Sequence, residues 1–110
     1  MSKTLHGTIV VTVGDDEFTL VPTLAAVRSI EARFGGLRGA AQAIINQSID
    51  GTAHIIASGA GLFGKDAEAL PEKVFEAGIV KVTNQVITYV NALYNPRGGD
   101  DQGNAQAGTE

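Results

Sequence analysis

Between Gly59 and Lys65 the chain reads GAGLFGK, the one stretch whose residue types and spacing match a known chemical device. Gly59-Ala60-Gly61-Leu62-Phe63-Gly64 fits the G-x-G-x-x-G fingerprint, in which glycines let the backbone approach a dinucleotide pyrophosphate. Gly59 to Lys65 also fits the opening of a phosphate-cradling P-loop. Either device needs a strand before the glycines and a helix directly after them, so that the helix N-terminus points at the phosphates. Ala53 to Ser58, AHIIAS, can be written as that strand, which keeps a nucleotide site open. Against it, the position after Lys65 should be a Ser or Thr that holds magnesium, and it is Asp66, an anion aimed at phosphates. The acidic residue that would hold a ribose about 20 positions on is missing too, because IVKV at Ile79 to Val82 leads into Thr83-Asn84. The following helix is expected to begin near Pro71, too far away to aim at a pyrophosphate. The weight falls on a glycine-rich loop between helices.

The other reactive side chains form thinner groupings. His6 and His54 have no second ligand at metal spacing and read as surface or boundary histidines. Asp15, Asp16 and Glu17 could touch a cation, but they lack the alternating oxygen ligands and the closing glutamate of a calcium loop, so a solvated turn is the better reading. Ser29, Ser48 and Ser58 sit in no nucleophile motif, and the chain has no cysteine. Glu31, three residues after Arg28, reads as half of an ion pair at the edge of an apolar stripe rather than as an acid-base group. No catalytic residue, metal ligand or cofactor site is expected, and the chain reads as a non-enzyme.

The elements that would position these groups follow from periodicity. Gly7 to Val13, GTIVVTV, is an expected strand, and Gly14-Asp15-Asp16 supplies a turn into a second, Glu17 to Val21. Pro22 ends that strand and Thr23 is placed to cap a helix over Leu24 to Phe34. Leu24, Val27, Ile30, Glu31 and Phe34 share one side of it, and Gly35 offers a left-handed stop. This helix is the natural cover for the apolar face of the hairpin.

Leu37, Ala40, Ala41, Ile44 and Ile45 repeat at three and four residues and predict a second helix. Asn46 to Ser48 break the pattern, and Asp50-Gly51-Thr52 can cap a third helix from Ala53 to Ala60. A short helix from Pro71 to Ala77 is expected, stopped by Gly78. Ile79 to Tyr94 is rich in β-branched residues, which favours strand, yet Ile79, Val82, Val86, Val90 and Leu93 keep a helical spacing over four turns. Helix is the expectation there. After Asn95-Pro96 the run RGGDDQGNAQAGTE has nothing more apolar than alanine, so 97–110 is expected to be a flexible tail behind a single domain over 1–96. The fold class expected is α+β, an N-terminal two-stranded antiparallel hairpin packed on four or five short helices.

Composition bounds the partners. At 110 residues the chain can bury about two-thirds of its unfolded surface, enough for a conventional core. Twelve acidic against eight basic residues leave a charge of -4, which argues against nucleic acid and anionic membrane surfaces. Zero cysteines suit a reducing compartment, and neither an apolar run of ~20 residues nor a secretory leader is seen, so a cytoplasmic protein is expected. What remains is surface for binding. Ala40, Ala41 and Ala43, with Leu62 and Phe63, could form a shallow apolar groove for a partner helix, or could close the core of the domain itself.

The hairpin and the LVPTLAAVRSIEARFG that follows resemble the start of small gene-transfer-agent and phage tail proteins, described as tail assembly chaperones or tail tube proteins. In that family an acidic or glycine-bearing hairpin runs into a Pro-Thr step and then a helix with an Ile-Glu pair that ends on glycine. Here those are Gly14 to Glu17, Pro22-Thr23, Ile30-Glu31 and Gly35. The likeness continues more weakly through the alanine-rich middle and Glu76-Ala77-Gly78 to the last helix, over residues 7 to 96. It departs at the Gly59 to Gly64 loop and in the β-branched last helix. The resemblance implies a non-enzymatic tail assembly chaperone that holds tape-measure protein, tail tube protein or both in the host cytoplasm before the tail polymerises. A tail tube subunit and a small nucleotide-binding protein using Gly59 to Lys65 are the alternatives.

Overall fold

The computed structural model describes residues 8–94, so Gly7, His6 and the expected tail at 97–110 lie outside the described residues. The chain forms β1 (Ile9–Val13), β2 (Asp16–Leu20), α1 (Leu24–Phe34), α2 (Leu37–Ile45), α3 (Ile49–Ala60), a single-turn α4 (Lys65–Glu68), α5 (Leu70–Ala77) and α6 (Ile79–Leu93). The architecture is α+β as expected, with an antiparallel hairpin set on helices. α4 is an addition, and no helix among the described residues is long and apolar enough to cross a membrane.

Val13 pairs with Asp16 across a two-residue connection, and only its first residue, Gly14, has a positive φ (65°). That is the pattern of a II′ turn, whose twist matches that of the strands it joins. Val11, Val13 and Leu20 turn inward and are fully buried, while Val10, Thr12, Glu17 and Thr19 face solvent. α3 and α6, with help from α5, cover the inner face. The expectation that α1 does so is corrected: Pro22 and Thr23 turn the chain away from the hairpin, and α1 packs on α2 and α3.

α1 has the expected bounds. Thr23 Oγ1 accepts from the Ala26 N–H at 3.1 Å, and Gly35, at φ 78°, donates its N–H to the Glu31 carbonyl at 2.8 Å. Its buried stripe is Ala26 and Ile30, so Leu24 and Glu31 are corrected to exposed positions. Glu31 makes no ion pair with Arg28; the ion pair found among the described residues joins Lys73 and Asp16 at 2.7 Å. α3 begins earlier than Asp50-Gly51-Thr52 suggested, with Ser48 Oγ accepting from the Gly51 N–H at 3.0 Å. Gly51, Thr52, Ala53, Ile55, Ile56, Ala57 and Gly59 are all buried on it, which makes α3 the central helix.

α6 is helical despite its β-branched composition. Val82, Val86, Val90 and Leu93 are buried as one stripe, joined by Tyr89 and Thr83. Each such aliphatic side chain withdrawn from water is worth about 1.5–3 kcal/mol, more than the tenths lost to helix propensity. Thr83 satisfies its buried hydroxyl by donating to the Ile79 carbonyl at 2.9 Å, one turn back.

Candidate functional site

The three glycines of the nucleotide-like motif have three structural causes, none of which is a phosphate. Ala53 to Ser58 is the body of α3 rather than the strand the motif requires. Gly59 lies inside that helix, where an added Cβ would stand 2.9 Å from the Tyr89 ring and hydroxyl and 3.0 Å from Leu20 Cβ. Gly61 ends α3 at φ 71°, with its N–H on the Ala57 carbonyl. Gly64, at φ 64°, precedes α4, a four-residue turn with Asp66 and Glu68 in it. An acidic single turn is a poor anion receptor, since its negative charges oppose the partial positive charge of the free N–H groups.

Sequence reading missed a polar cluster between α1 and α3. Ser29 Oγ lies 2.8 Å from Ser58 Oγ and 3.3 Å from His54 Nε2. His54 Nε2 also stands 3.2 Å from the Ser29 carbonyl, so the one ring nitrogen faces both the hydroxyl and the main-chain oxygen of Ser29. Phe34 meets the His54 ring edge-on, with centroids 5.9 Å apart and planes at 74°. The cluster pins α1 against α3 and fixes the imidazole. His54 and Ser58 are one turn apart on α3, a spacing visible in the sequence, but Ser29 is brought to them from another helix.

A hollow opens beside this cluster, lined by Arg33, Asp50, His54, Ala57, Ala67 and Pro71. Among the described residues no group of three or more His, Cys, Asp or Glu side chains could hold a metal ion.

The residues expected to form a partner groove are distributed differently. Ala40 is fully buried in the core and offers no surface, which corrects its assignment to a contact face. Ala41 is partly covered against the core, and Ala43 faces Gly51 at the start of α3. Leu62 follows the far end of α3 and lines a hollow with Phe18 and Ala69. A 12-residue helix separates the two sets by roughly 16 Å of rise, so they do not make one groove. Phe63 is the exception, with 82% of its surface in solvent. Phe75 at 69%, Ile45 at 66% and Leu24 at 62% are further large apolar side chains left exposed on helices.

Comparison with known proteins finds no family model, curated protein or solved structure that matches the chain.

Proposed function

We propose that the protein is a non-enzymatic tail assembly chaperone of a phage-like particle, which covers helical segments of the tape-measure protein, tail tube subunits or both in the host cytoplasm until the tail polymerises. The observation that carries this reading is the set of large apolar side chains on helices and their loops, Phe63 and Phe75 foremost, that the fold leaves in solvent. Scattered exposed leucines are ordinary, but a phenylalanine four-fifths in solvent on a glycine-flanked loop is a contact in want of a partner. Transient cover of apolar helix faces is also the physical task of a chaperone, because such faces aggregate before assembly. The hairpin, the Pro22-Thr23 corner and the Gly35-terminated α1, consecutive along the chain, carry the resemblance to tail assembly proteins.

Co-expression with the tape-measure protein of the same particle tests the reading. The expected result is a tape-measure protein that stays soluble and co-purifies with this chain, and is lost from it in the Phe63→Ser/Phe75→Ser variant. Equal solubility with and without the chain, and no association, would remove the proposal. Stable rings or tubes of the purified protein by native mass spectrometry and electron microscopy would favour a tail tube subunit instead. Heat of binding with ATP-magnesium or NAD would favour the nucleotide reading, against which the helical context of Gly59 already argues.

A further inference from the structure

Antiparallel pairing sends the N–H and C=O of alternate residues to opposite sides of a strand. On β1 the Thr12 N–H and C=O point away from β2, where the Gln85 side chain takes both, at 2.8 and 2.9 Å. Thr12 is paired with Glu17 and Val10 with Thr19, so on β2 the outward-facing backbone groups belong to Glu17 and Thr19. The next outward donor, the Val21 N–H, is taken by the Gly59 carbonyl at 3.0 Å. The Glu17 and Thr19 groups have no partner among the described residues, and both residues are exposed. On the β1 edge Gln85 thus occupies the Thr12 groups, though the outward Val10 groups have no partner among the described residues, while on the β2 edge no side chain takes the outward groups between the turn and α3.

The surroundings of that open edge are specific. Beside it lies a hollow with an apolar floor of Phe18, Leu62 and Ala69, and Leu62 is followed by the solvent-exposed Phe63. Asp16, Glu17 and Asp66 rim it, against the single cation Lys73. Lys73 is committed to Asp16 at 2.7 Å, which leaves Glu17 and Asp66 without an ion pair among the described residues. We propose that the outer edge of β2 is a docking strip for an extended polypeptide segment of alternating basic and apolar residues, which adds to the hairpin as a third strand. Glu17 and Thr19 supply the main-chain hydrogen bonds. The partner residue beside Phe18 drops its apolar side chain into the hollow, and its basic neighbours meet Glu17 and Asp66. The acidic rim selects a basic strand over a second copy of this chain, which would bring the same carboxylates to the edge. The inference stands apart from the chaperone reading, because it concerns the strand edge rather than the exposed helix faces.

The test is amide NMR on the full chain with a short synthetic peptide alternating lysine and valine. Expected are shifts and slowed exchange centred on the Glu17 and Thr19 amides. The Glu17→Lys/Asp66→Lys variant should bind at least about fivefold more weakly, since two surface charge pairs are lost and reversed. The same peptide N-methylated at alternate amides should not bind, because it keeps the charge and lacks the donors. Leu62→Glu, which closes the hollow to an apolar side chain, serves as a second variant, and the amide spectrum of each unliganded variant reports whether it is folded. Unchanged exchange at Glu17 and Thr19 under saturating peptide, or equal binding of the N-methylated peptide, would overturn the proposal. So would tighter binding of a peptide with glutamate in place of lysine.

Discussion

The Tyr89 hydroxyl donates to the Val21 carbonyl across 2.7 Å, tying the middle of the last helix to the end of the hairpin, 68 residues away in sequence. The same ring lies against Gly59, so β2, α3 and α6 meet at this one side chain. The Val21 carbonyl also accepts from the Thr23 N–H at 2.9 Å and keeps one partner if the phenol is removed. Tyr89→Phe is therefore expected to cost only about 1 kcal/mol, the net worth of a hydrogen bond whose acceptor stays satisfied. Urea unfolding at neutral pH measures it.

Burial raises the Tyr89 pKa above its ordinary value. Below pH about 10 both folded and unfolded chains hold the phenolic proton, and the stability from this source is fully present. Above that pH the unfolded chain releases its proton while the folded chain retains it, so stability falls as pH rises toward the folded value. Denaturant midpoints measured between about pH 8 and pH 11 should show an alkaline decline in the parent protein. The decline should be shallower in Tyr89→Phe; equal slopes would mean that the phenol is not held from ionising by the fold.

Gly59→Ala separates the packing account of the motif from a phosphate account. The added methyl would stand 2.9 Å from Tyr89 and 3.0 Å from Leu20 Cβ, and overpacking of this kind typically outweighs the gain in helix propensity. A net loss of about 1–2 kcal/mol is expected. Gly61→Ala meets open space but must hold φ 71°, and should cost roughly 1 kcal/mol by backbone strain alone. Thermal or urea unfolding of both variants decides the matter.

Thr52 is fully buried and its hydroxyl has no hydrogen-bond partner among the described residues. Thr52→Val keeps the shape and removes the unpaired polar group, so it should be neutral or stabilising by up to about 1–2 kcal/mol. A loss of stability in the same unfolding assay would show that the hydroxyl has a partner after all.

Gln85→Leu removes the side-chain amide that occupies the Thr12 edge. The expected result is faster exchange of the Thr12 amide and a stability loss of at most about 1 kcal/mol. Sheet edges left open recruit other strands, so the variant should also self-associate more readily in sedimentation.

Much of this architecture was legible in local signals. The Gly14 turn, the Pro22-Thr23 corner, the capped α1 and its Gly35 stop each depend on neighbours within about four residues, the range over which turn and cap chemistry acts. The α6 stripe was legible too, because its spacing persists over 15 residues and outweighs β-branched composition. The errors came where packing partners decide. Leu24 and Ala26 are both apolar enough for a core, and only the direction in which α1 leaves the corner buries Ala26 and exposes Leu24. Ala40 and Ala41 are neighbours of one type, and the position of α2 against the core makes the first interior and the second a boundary residue.

By itself, then, the sequence determined where the chain turns, where helices start and stop, and how acidic its surface is, because these are set by residues close together along the backbone. Only the tertiary structure decided that Gly59 is a packing glycine, that His54 meets Ser29, and that Gln85 takes the outward groups of Thr12. Each of those depends on side chains from separate elements arriving at one point, and no local pattern encodes which elements will meet.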